Sequence, residues 1–205
     1  MRYNELTFQG RNAVLEAFRS GKTIDKLFIL DGCQDGPIKS IVREAKKTDA
    51  IINYVDKERL DRLAGTGHHQ GVVAIGAAYE YAEVEDILAA AKEKGEDPFI
   101  FILDEIEDPH NLGAIIRTAN LAGAHGVIIP KRRAVGLTAT VAKTSAGAIN
   151  YTPVAKVTNI SQTIEELKKQ GLWFVCADMG GETMYNLNLK GPIGLVIGNE
   201  GNGVS

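Results

Sequence analysis

Phe99-Ile100-Phe101-Ile102-Leu103 is a run of five apolar residues closed on both sides by charge, with Asp97 before it and Asp104 and Glu105 after it. A strand with one wet face alternates polar and apolar side chains. A strand without polar positions must be covered on both faces, as the strands of parallel sheets are. The rest of the chain is consistent with that constraint. Gly126–Ile129, Trp173–Ala177 and Ile193–Ile197 are further short apolar runs, and another strand is predicted near Ile149–Val154. Helical patterns separate them over Asn111–Gly123, around Thr138–Thr144 and over Ser161–Gln170, the last closed by Gly171. Strands alternating with helices in this way predict a parallel α/β sheet covered on both faces, over residues 98–205.

A shorter alternation precedes it. A helix is predicted over Gly10–Arg19 and closed by Gly21, then a strand at Lys26–Leu30 and a helix near Pro37–Lys47 with the proline in its first turn. A strand at Ile51–Val55, a short helix at Lys57–Leu63 and a strand at Gly71–Ala77 complete a compact α/β sandwich over residues 1–77. Residues 78–97 read as an acidic linker containing a helix at Val84–Lys94. Charge follows the same division: of the net −3, residues 1–76 contribute +2, 77–110 contribute −9 and 111–205 contribute +4. Two mildly basic modules around an acidic joint are compatible with a nucleic-acid partner.

Other classes are disfavoured. No apolar run approaches the roughly 20 residues of a membrane helix, so no membrane partner is expected. Met1–Leu6 lacks the apolar core of a secretory signal. Cys33 and Cys176 stand alone, which gives neither a disulfide framework nor a metal spacing, and suits free thiols in a cytoplasmic protein.

Four stretches could carry chemistry. In "DPHNLGAIIRTANLAGA", Leu112, Ile115, Ile116, Ala119 and Gly123 share one helical face and predict a core contact. The opposite face holds Gly113, Ala114, Leu121 and one long cation, Arg117. In "LVIGNEGNGVS" a buried strand runs into a loop with Gly198, Gly201 and Gly203, at the carboxyl end where open α/β sheets bind ligands. The spacing is not the dinucleotide fingerprint, and Glu200 would repel a pyrophosphate. "IIPKRRAVG" sets Lys131, Arg132 and Arg133 directly after a strand, either as a solvated turn or as phosphate contacts. In the first module "GTGHHQGV" places His68, His69 and Gln70 between glycines, either as a polar loop tip or as hydrogen-bonding partners for splayed RNA bases. Adjacent histidines point apart on regular backbone, which argues against a metal pair.

Taken together, "DPHNLGAIIRTANLAGA", "VIIPKRRAVGLTATVAKTSAGA" and "LVIGNEGNG" resemble the SpoU (TrmH) family of RNA ribose 2′-O-methyltransferases. Within it the sequence is most similar to bacterial enzymes that methylate a guanosine ribose of 23S ribosomal RNA. The resemblance runs along essentially the whole chain. It implies an L30e-type RNA-binding domain at the N-terminus and a SPOUT methyltransferase domain with a C-terminal trefoil knot. It also implies S-adenosylmethionine as cofactor and a homodimer with a shared active site. By motif position, Asn111, Arg117 and Glu200 fall on catalytic positions. Pro130, Ile197, Gly198, Asn199, Gly201 and Gly203 fall on the cofactor site. Lys131, Arg132 and Arg133, with Arg11, His68, His69 and Gln70, are the expected contacts to large-subunit ribosomal RNA. The family continues past "EGNG" into a third motif, whereas this sequence ends at Ser205, so the knot is expected to be incomplete. A transfer RNA substrate, a non-catalytic RNA-binding module and a dinucleotide-dependent oxidoreductase are the competing expectations.

Overall fold

The structure is a computed structural model that describes residues 6–48, 50–65 and 67–204. Met1–Glu5 of the N-terminal reading, and Ser205, lie outside the described residues. The chain divides into two units, residues 1–80 with 136–139, and residues 81–135 with 140–205.

In the first unit β1 (Leu6–Gln9), β2 (Ile24–Leu30), β3 (Ile51–Val55) and β4 (Val72–Gly76) form a sheet in the order β1-β4-β2-β3. Only β2 and β3 are parallel. Alternation along β2 explains the layers. Leu27 and Ile29 pack with Val14, Phe18, Ile38 and Ile41 of α1 (Arg11–Arg19) and α2 (Gly36–Lys47). Phe28 turns the other way, to Leu60 and Ala64 of α3 (Lys57–Ala64). Asp35 and Asp56 cap α2 and α3 through their carboxylates.

In the second unit β5 (Phe99–Leu103), β6 (Gly126–Pro130), β7 (Val154–Val157), β8 (Trp173–Ala177) and β9 (Ile193–Ile197) form a wholly parallel sheet, ordered β7-β6-β5-β9-β8. This confirms the α/β class and the parallel sheet read from the apolar strands. Ile100, Ile102, Ile128 and Val196 pack with Ile87 of α4 (Val84–Lys94) and Leu167 of α7 (Ile160–Lys169). Phe101, Leu103, Val127 and Ile129 point the other way and are also buried. On that side α5 (Pro109–Leu121) packs against β6. The short α6 (Ala139–Thr144) completes the helices.

Three differences from the sequence reading have local causes. The helix expected in the acidic segment forms as α4, and its Ile87 packs into the second core, which the acidic composition of the segment does not announce. The strand expected near Ile149–Val154 begins only at Val154, because Ala148–Asn150 forms a 3₁₀ turn after Gly147 at φ 89°. Leu6–Gln9 adds an antiparallel edge strand that four mixed residues do not announce.

Candidate active site

The order of the second sheet reverses between β5 and β9, and a crevice opens outside their carboxyl ends, where such folds hold ligands. It has a volume of about 450 Å³ and is lined by Ile106, Glu107, Asp108, Asn111, Asn199, Glu200 and Gly201. Asp104 N–H donates to Ile197 C=O at 2.8 Å, so the two chains leave the sheet side by side.

One wall is the start of α5. Asp108 caps it, accepting from His110 N–H at 3.0 Å, and Pro109 opens the helix where a missing N–H is harmless. Asn111, in the first turn, donates from Nδ2 to Glu200 Oε2 at 3.3 Å. The opposite wall is the loop after β9. Asn199 and Gly203 exchange two backbone hydrogen bonds of 2.9 Å, which closes the loop on itself. Gly198 has to be glycine for this closure, because a Cβ there would overlap the carbonyl group of Gly203 and the nitrogen of Val204. Asn199 uses its whole side-chain amide internally. Nδ2 donates to Glu105 C=O at 2.9 Å, and Oδ1 accepts from Gly201 N–H at 2.8 Å. A second cleft, of about 340 Å³, lies on the β8 side of the same loop, between Gly198–Gly203 and Ala177–Met179.

Arg117 is elsewhere. It stands on the exposed side of α5 in a separate cleft of about 500 Å³, with Asn120, Leu121, Ser145–Ala148, Asn150 and Tyr151. Among the described residues its guanidinium has no hydrogen-bond or ion-pair partner. Leu121 and Tyr151, each 81% exposed, flank it. The expectation that Gly113 shares this open face is corrected. Gly113 is buried against α6, where a Cβ would overlap the Thr144 side chain and the Ser145 nitrogen. Gly123, placed on the core face by periodicity, is exposed beyond the helix end.

The remaining expected residues differ in burial and in the contacts they make. Pro130 is buried as the last residue of β6, and Ile197 is half-buried as the last of β9. Lys131 is half-buried and Arg132 exposed. Arg133 donates from Nη1 to Glu105 Oε1 at 2.7 Å, and that carboxylate raises the guanidinium pKa above its ordinary value. In the first unit, Arg11 holds Asp35 at 2.5 Å and the Gln70 carbonyl at 3.1 Å, along a cleft of about 520 Å³ that also includes Asn12, Cys33 and Pro37. His68 is exposed. His69 is not a loop tip: it is only 5% exposed, and that corrects its assignment as an RNA contact. Gly71 N–H donates to His69 Nδ1 at 2.9 Å, which leaves the proton on Nε2 to be donated to Asp61 at 2.9 Å. Glu105, Asp178 and Tyr151 were not anticipated as site residues. An acid in an acidic turn and an aromatic in a loop give no periodic signal.

Among the described residues no group of three or more His, Cys, Asp or Glu side chains could hold a metal ion, and no helix is long and apolar enough to cross a membrane.

Residues 98–205 match the family model described as the SpoU rRNA Methylase family, and residues 9–82 match that for RNA 2′-O ribose methyltransferase substrate binding. YacO of Bacillus subtilis, assigned to the TrmH family of tRNA/rRNA methyltransferases, is 52% identical over 196 residues, which are 95% of this chain and 78% of that protein. A Staphylococcus haemolyticus protein with the same assignment is 46% identical over 202 residues, covering 98% and 81% of the two chains. Among solved structures, the SpoU methyltransferase AviRb of Streptomyces viridochromogenes, crystallised with the cofactor AdoMet, superposes with a TM-score of 0.56 at 20% identity, over 98% of this chain and 75% of that one. A TrmH-family protein of Porphyromonas gingivalis gives 0.54 at 21% identity, over 98% and 74%. Matched in both units and at 52% identity to such a relative, the chain belongs to the SpoU (TrmH) family of RNA methyltransferases.

Proposed function

We propose that the protein transfers a methyl group from S-adenosylmethionine to a ribose 2′-hydroxyl, of a guanosine in 23S ribosomal RNA, and that it works as a homodimer. The observation that carries this is the crevice at the β5/β9 switch point. Its polar wall is loop backbone, and its rim is acidic through Glu107, Asp108 and Glu200. Such a site repels a pyrophosphate and suits a ligand with cationic sulfonium and ammonium groups, so these residues fit the methyl donor. When bound, the donor supplies an electrophilic methyl carbon.

Asn111 and Glu200 hold the two walls at a fixed separation through their hydrogen bond. Arg117 binds the target phosphate and stabilises the negative charge that develops on the 2′-oxygen as the hydroxyl releases its proton to water. A guanidinium stays protonated far above neutral pH, so it acts as an electrostatic clamp and not as the base. Lys131 and Arg132, with Arg11, His68 and Gln70 of the first unit, provide phosphate and base contacts. Leu121 and Tyr151 seat the second subunit.

The test is transfer of labelled methyl from S-adenosylmethionine to unmodified 23S rRNA and, in parallel, unmodified tRNA, using the full-length protein. Label on a ribose 2′-oxygen of 23S rRNA supports the reading in full. Label on tRNA alone keeps the chemistry and replaces the substrate. No label on either, with RNA binding retained, leaves a binding module.

A further inference from the structure

Glu105 and Arg133 adopt left-handed backbone, at φ 56° and 54°, although neither is glycine. Such residues persist only where the surroundings over-determine them, and they concentrate at functional sites. Here the two meet. Arg133 Nη1 donates to Glu105 Oε1 at 2.7 Å, and Val135 N–H donates to Ile106 C=O at 2.9 Å beside them. The Glu105 carbonyl accepts from Asn199 Nδ2, whose Oδ1 in turn accepts from Gly201 N–H. Three loops, those following β5, β6 and β9, are therefore tied together at Glu105, and the residue after Asn199 is the Glu200 that meets Asn111.

We infer that Glu105, Arg133 and Asn199 are positioning residues that hold the crevice loops in register, and that Arg133 acts on methyl-donor binding where its neighbour Arg132 acts on RNA. The inference rests on the donor lying in the β5/β9 crevice. A solvent-exposed ion pair alone would contribute little. What sets this pair apart is that its two members hold each other in a conformation that aims both loops. Arg133 therefore belongs to the donor site although it lies within a basic tripeptide. Among the described residues Arg132 makes no such contact to the crevice.

The experiment compares the full-length parent with Arg133→Ala, Glu105→Gln, Arg133→Lys and Arg132→Ala. S-adenosylhomocysteine binding is measured by calorimetry, RNA affinity is measured against salt concentration, and thermal melting serves as the folding control. Arg133→Ala and Glu105→Gln are each expected to weaken S-adenosylhomocysteine binding by about threefold to fivefold, the scale of an exposed charge pair that also positions a loop. The KM for the donor rises while kcat and the RNA salt slope hold, and Arg133→Lys recovers part of the loss. Arg132→Ala leaves donor binding intact and lowers the salt slope by about 0.7 to 0.9. If Arg133→Ala keeps parental donor affinity, or lowers the salt slope as Arg132→Ala does, the inference is overturned. A parent that binds no S-adenosylhomocysteine removes the donor from the crevice, and the inference falls with it. The two failures are told apart by the parent alone.

Discussion

Gly198→Ala tests whether the closed loop after β9 is the ligand-competent state. The added methyl would overlap the carbonyl group of Gly203 and the nitrogen of Val204. These are backbone atoms, so the clash cannot be relieved by a side-chain rotation, and the returning half of the loop has to move away. What it loses is the reciprocal pair of 2.9 Å hydrogen bonds between Asn199 and Gly203. At about 1 kcal/mol net for each bond, the loop is biased toward opening by about 2 kcal/mol. Binding that requires the closed form then weakens by up to roughly 30-fold, at about 1.4 kcal/mol per factor of ten. Calorimetric titration with S-adenosylhomocysteine measures this directly. Gly201→Ala is the control, because a Cβ there meets only Asn199 Oδ1 at 3.5 Å. Its affinity should stay within about threefold of the parent. If Gly198→Ala also stays within that margin, loop closure is not part of binding, and the reasoning fails.

Gly113→Ala should destabilise the protein by about 1–3 kcal/mol in urea denaturation, because overlap with Thr144 and Ser145 outweighs the gain of about 1 kcal/mol in helix propensity. Arg117→Ala should abolish methyl transfer and leave S-adenosylhomocysteine affinity unchanged; near-parental turnover would remove Arg117 from the mechanism. His69→Ala leaves the Gly71 N–H without its acceptor and should cost about 1–3 kcal/mol in the same denaturation assay, whereas His68→Ala should be close to neutral. Mixing inactive Arg117→Ala subunits with Gly198→Ala subunits, at a donor concentration too low to fill the Gly198→Ala crevice, should recover activity, to about a quarter of the parent if subunits exchange randomly, since half the dimers then hold one intact composite site of two. No recovery after verified exchange would place both residues in the same subunit's site.

Much of the second sheet was legible because its strands are buried on both faces, and a continuous apolar run such as Phe99–Leu103 has few other uses. The crevice was half legible. Asn199 and Glu200 sit in a glycine-rich loop that announces itself at a strand end, yet their partners Glu105 and Asn111 become neighbours only through the sheet order. Gly113 was misread for a similar reason. Helical periodicity sets it beside Ala114, but what makes it small is Thr144, from a helix further along the chain. His69 was misread because its sequence neighbours are loop residues, while its hydrogen bonds draw it into the protein. In each case the sequence displayed the residue and concealed the contact that defines its role.

The separation of Arg117 from the crevice is the most consequential of these contacts, because it bears on how a single reaction can use both. Asn111 and Arg117 are six residues apart on one helix. That spacing is about 9 Å of rise and roughly a third of a turn in orientation. The side chains therefore leave α5 toward different clefts, one lined by Glu200 and Gly201 and the other by Asn150 and Tyr151. Rotamer changes in Arg117 do not carry it round the helix to face the crevice. Under the proposed reaction, in which the methyl donor and the guanidinium meet one ribose, the proposed homodimer supplies the cation from a second α5 brought against the crevice by symmetry. The exposed Leu121 and Tyr151 beside Arg117 are the surface on which such an approach would be built. In a two-fold arrangement every subunit then gives one arginine and receives another.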